Sequence, residues 1–332
     1  MIRILRSNIM DVTGFLMIGL ALLLLSFRTE FKLSLDLPSS LLNLNTIFLS
    51  ILIEALPFVL IGVLIAGFIQ IFVSEDLIQR WIPKNKFMAV IMSCIVGALF
   101  PACECGIVPI VRRLIAKGVP THAAIGFMLT GPLINPIVIA STYMAFGNSV
   151  KVAGLRMGLG FLTALLVTFT VSSLFKGNQL KAPIKSEPSS SKTKQQSFTD
   201  RFWSMLTHSI DEFFDMGKYL VMGAFIAATV QTYLPARALF ETGKGPATSL
   251  LVMMGLAYFL SLCSEADAFI GASFKSIFPL SSILGFLIFG PMMDLKNTIM
   301  MLSVFRMRFV LVVLALIISM VFFTLMLAQI FI

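Results

Sequence analysis

Charge is what this sequence has least of. Only 12% of its 332 residues are charged, against 58% hydrophobic. A soluble domain carries about 25% charged residues, so a water-facing globule is excluded. Strand-like alternation is missing too. The unbroken apolar runs 12–27 and 309–332 leave no room for the polar-in, apolar-out period of a membrane β-barrel. Cysteine is scarce, with Cys94, Cys103, Cys105 and Cys263 all outside long loops, which argues against a disulfide framework. Also missing are Gly-x-x-x-x-Gly-Lys-Ser/Thr, Gly-x-Ser-x-Gly and His-Glu-x-x-His. ATP-driven work would therefore need another subunit, and catalysis has no recognisable motif to stand on.

What is present is apolar length. Segments 12–27, 46–73, 87–100, 121–146, 152–175, 213–234, 246–262, 278–301 and 309–332 are hydrophobic. Most approach the 20 or so residues that cross about 30 Å of hydrocarbon. The sequence predicts an all-α polytopic membrane protein in a bacterial plasma membrane. The first run follows Arg3 and Arg6 but has no Ala-x-Ala site after it, so it is expected as a retained transmembrane helix. The net charge of +9 marks loops facing anionic lipid and not a nucleic-acid surface.

Segments 87–100 and 246–262 are short, and each runs into a polar stretch, Pro-Ala-Cys-Glu-Cys-Gly at 101–106 and Leu-Cys-Ser-Glu-Ala-Asp at 262–267. Between the two groups, 176–201 is rich in Ser and Lys and reads as a disordered cytoplasmic linker. The flanking parts repeat. At an offset of 161 residues, Glu54 falls on Asp215, Gly62 on Gly223, Gln70 on Gln231 and Glu104 on Glu265. At 159, Gly131, Pro132 and Asn135 fall on Gly290, Pro291 and Asp294. The expected organisation is an N-terminal helix and loop (1–45), a first repeat (46–175), the linker (176–201) and a second repeat (202–332).

Lys and Arg placement orients the repeats. If 87–118 and 246–276 dip in and return, a cytoplasmic N-terminus puts the basic residues of 1–11, 74–120, 176–201 and 302–308 inside. Arg28, Lys32, Lys151, Arg156, Arg237, Lys244 and Lys275 then lie outside, a minority. The two halves come out opposite in orientation: inverted repeats with broken or re-entrant helices, preceded by one extra helix.

Acids within apolar segments are costly and point to function. Glu104 leads the candidates, since Pro101 and Gly106 make the backbone around it irregular, and such backbone survives at membrane depth only beside protein or a wet cavity. Glu265 and Asp267 are its counterparts in the second half. Asn135 and Asp294 sit in Gly-Pro boxes that should break their helices and free backbone carbonyls for ions or polar solutes. Glu54 and Asp215 near helix starts complete the pathway set, with Lys218 one turn after Asp215 as an internal ion-pair partner. Cys103, Cys105 and Cys263 offer thiolates to a soft species, Zn²⁺ or another soft metal ion, or trivalent arsenic, though buried Cys also serves as plain apolar filler. The 107–118 stretch is amphipathic and is expected on the cytoplasmic surface, with Arg112, Arg113 and Lys117 near lipid phosphates.

The run PACECGIVPIVRRLIAKGVPTHAAIGFMLTGPLINPIVIAST at 101–142, with SLCSEADAF and GPMMD in the second half, resembles the ArsP-like family of bacterial permeases. The resemblance implies a plasma-membrane permease. It further implies thiol ligation of trivalent organoarsenicals in some relatives, which maps here to Cys103 and Cys105, and work with a companion membrane protein in others.

The sequence reading is thus a secondary transporter or permease subunit for a thiophilic or cationic small solute. Its partners would be the lipid bilayer, the solute, a companion membrane protein and other copies of itself. A zinc or soft-metal carrier is the rival within transport. A non-transporting assembly scaffold or a thiol redox protein are the rivals outside it.

Overall fold

The computed structural model describes residues 39–74, 82–83, 85–175, 177–181, 198–233 and 245–330, together with Gly19. The expected N-terminal helix at 12–27 and the middle of the linker lie outside the described residues.

Among the described residues the chain forms twelve α-helices in two sets of six. The first set is α1 (Ser39–Phe72), α2 (Lys86–Leu99), α3 (Glu104–Ala116), α4 (Thr121–Ile134), α5 (Pro136–Ala145) and α6 (Val150–Leu174). The second is α7 (Phe198–Tyr233), α8 (Pro246–Leu260), α9 (Ser264–Ser273), α10 (Leu280–Met292), α11 (Leu295–Val304) and α12 (Met307–Ala328). Among the described residues, six units are long and apolar enough to cross a membrane: α1, α4 with α5, α6, α7, α10 with α11, and α12. Apart from one isolated bridge, the described residues form no strand.

Each pair of short helices forms a hairpin. Gly97 of α2 lies against Phe127 and Thr130, and Gly126 against Ser93 and Cys94, so α2 runs parallel to α4. Gly131 meets Ile107, while Ile110 and Leu114 share a cavity wall with Ala123, Ala124 and Phe127, so α3 runs antiparallel to α4. The chain therefore goes in along α2, turns at 100–103 and comes back along α3. The second half repeats this. Ser249 bonds Ser282 and Gly285 meets Leu250 and Met254, so α8 is parallel to α10. Gly290 meets Asp267 and Gly271 meets Ile283 and Leu287, so α9 is antiparallel. At about 1.5 Å per residue, arms of 10 to 15 residues reach only part-way through a bilayer.

The tips and breaks follow from local chemistry. Phe100 and Cys103 take extended backbone on either side of Pro101. Ser261, at the end of α8, sits at φ 46°, a left-handed conformation rare for a residue with a Cβ. Asn135 divides α4 from α5: Pro136 cannot donate to the preceding turn, and the Asn135 side-chain Oδ1 accepts from Val138 N at 2.8 Å as the new helix starts. Asp294 does the same for α11, accepting from Asn297 N at 2.5 Å.

α1 and α7 are long neighbours that run in opposite directions. Phe48 packs on Phe225, Ser209 Oγ donates to Val63 O at 3.2 Å, and Arg201 donates to Ile71 O at 3.0 Å. Both ends of the expected linker prove ordered. Residues 177–181 pair antiparallel with 304–306 through Lys181 N to Val304 O (2.8 Å) and Arg306 N to Gln179 O (3.1 Å), and α7 already begins at Phe198. Thr121 Oγ1 also donates to Gly177 O at 3.2 Å, so the start of α4 and the end of α11 lie at the same end of the molecule.

Two expectations about helix position change. Glu54 and Asp215 fall in the middles of α1 and α7, not near their starts, because both helices extend well upstream of the apolar runs. The 107–118 helix is not a surface helix. Most of α3 is buried, and its basic residues face protein: Arg112 Nη1 lies 2.7 Å from Glu212 and 3.3 Å from Asp215, and Arg113 also binds Glu212.

Candidate functional site

The two hairpin tips and the break between α10 and α11 meet at a buried polar cluster. Glu104 is the first residue of α3 and is 1% exposed. A carboxylate there faces the unpaired N–H groups and the positive end of the helix. One oxygen, Oε1, lies 3.5 Å from Lys296 Nζ, and the other accepts from Ser264 Oγ at 3.4 Å. Ser264 is the first residue of α9 and Lys296 the second of α11, so three half-helix N-termini come together here.

Lys296, 4% exposed, is shared among three oxygens: Ser261 O at 3.3 Å, Glu104 Oε1 at 3.5 Å and Asp294 Oδ2 at 3.6 Å. The left-handed turn at Ser261 presents that carbonyl, and the Ser261 hydroxyl accepts from Lys296 N at 3.4 Å. Asp294 is held by its capping bond, so its charge position is fixed by the start of α11.

A second buried acid and base, of opposite parentage, lie close by without a direct contact. Arg156 of α6, 2% exposed, donates to Thr142 Oγ1 at 2.6 Å and to Ser264 O at 3.2 Å. Asp267 of α9, also 2% exposed, lies within electrostatic reach of Arg156, Glu104, Asp294 and Lys296, and its Oδ2 has no hydrogen-bond partner. In one pair the acid is in the first half and the base in the second. In the other the origins are reversed.

Of the residues singled out from sequence, the cluster contains Glu104, Asp267 and Asp294. Glu265 is half-buried in the first turn of α9. The residue facing Glu104 is Ser264, one position earlier, because Cys103 and Cys263 are the equivalent caps of α3 and α9 and set the local offset at 160. Asn135 is buried and repeats the capping role of Asp294, without a charge. Asp215 stays apart. Its side chain is 45% exposed and pairs with Lys218 at 2.7 Å and with Arg112.

The thiols flank the cluster. Cys103 and Cys105 are buried within hydrogen-bonding reach of each other, and Cys263 lies within reach of Glu54, which ties that half-buried acid to the second tip. Among the described residues, no three His, Cys, Asp or Glu side chains stand as a metal-holding group, so Cys103, Cys105 and Cys263 do not form a ready three-ligand site.

Lys296, Arg156, Ser261 and Ser264 carry much of this geometry and were not among the residues singled out from sequence. Arg156, counted with the residues outside, lies nearly two turns inside α6, and its guanidinium turns into the protein. The signal available was a charged residue inside a helix-length apolar segment.

UPF0718 protein YcgR of Bacillus subtilis (strain 168) is 54% identical to this chain over 272 residues, which cover 82% of this chain and 92% of the relative. A protein of Streptococcus mutans serotype c, described as a putative two-component membrane permease complex subunit, is 43% identical over 275 residues, 83% of this chain and 91% of the relative. A more distant relative, UPF0718 protein MJ0584 of Methanocaldococcus jannaschii, is 23% identical over 160 residues. No solved structure matches. The family described as predicted permease matches residues 40–330, nearly all of the described fold, and the chain belongs to that family.

Proposed function

We propose that the protein moves a small cationic or thiophilic solute across the bacterial plasma membrane through the cluster around Glu104, Lys296 and Asp294, with Asp267 and Arg156 beside it. The observation that carries this reading is the meeting of three half-helix N-termini and five buried charged side chains at helix breaks. Buried charges of this kind are expensive in a bilayer and suit a solute path. The two halves act as inverted repeats. In support, α1 and α7 run antiparallel, and α4 begins at the end of the molecule where α11 finishes. The hairpins α2–α3 and α8–α9 then enter the bilayer from opposite faces, their tips meet at the cluster, and rocking of one half against the other would expose it to either side.

Cys103, Cys105 and Cys263 give the path its preference for soft species, drawn together as the solute binds. Glu54 and Glu265 serve at the rim. The Streptococcus mutans relative is described as a subunit of a two-component complex. By that likeness a companion membrane protein completes the working unit here.

The test is uptake into everted vesicles of a trivalent methylated arsenical and, separately, of Zn²⁺, with and without the neighbouring membrane gene products. Glu104→Gln is expected to lower flux at least ten-fold, and Cys103→Ala with Cys263→Ala to lower arsenical flux alone. Undiminished flux of every transported species in Glu104→Gln would remove the cluster from the path.

A further inference from the structure

The ammonium of Lys296 is surrounded but not tightly bound. Its three oxygen neighbours stand at 3.3, 3.5 and 3.6 Å, all longer than the 2.7–2.9 Å of a close charge-assisted hydrogen bond. They come from three separate elements: the tip after α8, the first residue of α3 and the cap of α11. Each is held without help from the lysine. Ser261 is fixed by its turn, with its N–H on Ala257 O. Glu104 is fixed by its place on α3, and Asp294 by the bond from Asn297 N. Asp294 Oδ2, in a side chain 1% exposed and aimed at the ammonium, has no close hydrogen bond. The lysine is the mobile member, since its charge sits on a flexible four-carbon stem. Asp267 Oδ2, without a hydrogen-bond partner and within electrostatic reach, offers that charge a second resting place.

We propose that these oxygens form a binding site for a small monovalent cation, of which Lys296 is the tethered occupant, so that an incoming cation enters by exchange with the lysine ammonium. Compact hard cations take carbonyl and carboxylate oxygens of this kind. The exchange keeps the buried charge balanced: when a cation takes the Glu104–Asp294 side, the ammonium shifts toward Asp267, and no extra charge is left uncompensated in the interior. The inference deepens the permease reading and rests on it for its role, but it concerns binding alone.

The experiment uses the full-length protein in detergent, carrying Lys296→Ala. Thermal unfolding is followed while methylammonium, or Na⁺, is raised against N-methylglucamine, which has the same charge but is too large for the space vacated. The variant is expected to melt below wild type and to recover about 5–10 °C, saturably, at a hundred-fold excess of methylammonium over its Kd. Wild type, whose ammonium the cation must first displace, should respond only at higher concentration, and so should Glu104→Gln with Lys296→Ala. A folded Lys296→Ala protein indifferent to both methylammonium and Na⁺ would overturn the proposal. If Lys296→Ala does not fold, the charge-reduced Glu104→Gln, Lys296→Ala pair carries the test. A weaker saturable response that disappears on adding Asp294→Asn supports the site, and a flat response overturns it. No flux is measured, so a failed transport assay and a failed binding assay give separate answers.

Discussion

Gly62 and Gly106 meet backbone to backbone: a Cβ on Gly62 would stand 2.2 Å from the carbonyl oxygen of Gly106. Helix α1 thus holds the first turn of α3, and with it Glu104, by a contact that admits no side chain. In the second half, Gly223 of α7 presses on Lys296 in the same manner, with its Cβ position 3.2 Å from the lysine Cα.

Gly62→Ala should therefore push α3 away from α1 and lower the melting temperature by several degrees, within the 1–3 kcal/mol typical of overpacking. Gly158→Ala, with nothing within 4 Å of its Cβ position, is the matched control and should leave melting unchanged or slightly raised. Equal melting of the two variants would mean that the close approach is not a constraint.

The acids near the far end of α3 separate by burial. Glu212, whose side chain is 4% exposed, accepts from both Arg112 and Arg113, whereas Asp215 is 45% exposed. Glu212→Ala is expected to cost about 3 kcal/mol, because it leaves two arginines facing a buried gap. Asp215→Asn is expected to cost under about 1 kcal/mol. Thermal unfolding of the two purified variants makes the comparison.

Asp294 does two jobs that substitution can separate. Asp294→Asn keeps an oxygen to accept from Asn297 N, so the fold should hold while flux falls. Asp294→Ala loses the cap as well and should cost about a further 1 kcal/mol. Asn135→Ala should cost a similar amount of stability and leave more of the flux, since that cap carries no charge. Melting and flux measured on one set of preparations check both halves of the expectation.

Arg156 is expected to resist conservative change. Lysine cannot reach Thr142 Oγ1 and Ser264 O from the same fork, so Arg156→Lys should lower both melting temperature and flux. Thr142→Val removes only one of the two partners and should cost about 1 kcal/mol. The ordering of the two melting temperatures is the measurement.

The hairpins were legible because their arms are too short to cross and end in polar tips, and the breaks were legible because Gly-Pro boxes and caps are local chemistry. Glu104 announced itself as an acid in an apolar segment. What could not be read were its partners. Lys296 and Ser264 come from the other half, and nothing in the chain near Glu104 encodes them. The slip from Ser264 to Glu265 arose from aligning like acids. Aligning Cys103 with Cys263, the two caps, gives the offset at which Glu104 meets Ser264. Arg156 was misplaced because charge counting by loops cannot see a guanidinium that turns inward from the first turns of a helix.

Each half lends the other the counter-charge it lacks: Lys296 answers Glu104, and Arg156 lies beside Asp267. A chain severed between 182 and 197 would give two fragments, one with Glu104 parted from Lys296 and the other with Asp267 parted from Arg156. Neither fragment should accumulate on its own, and the two should survive only when made together. Two copies of one half would lack either Glu104 or Lys296, so neither half doubled on itself rebuilds this pairing.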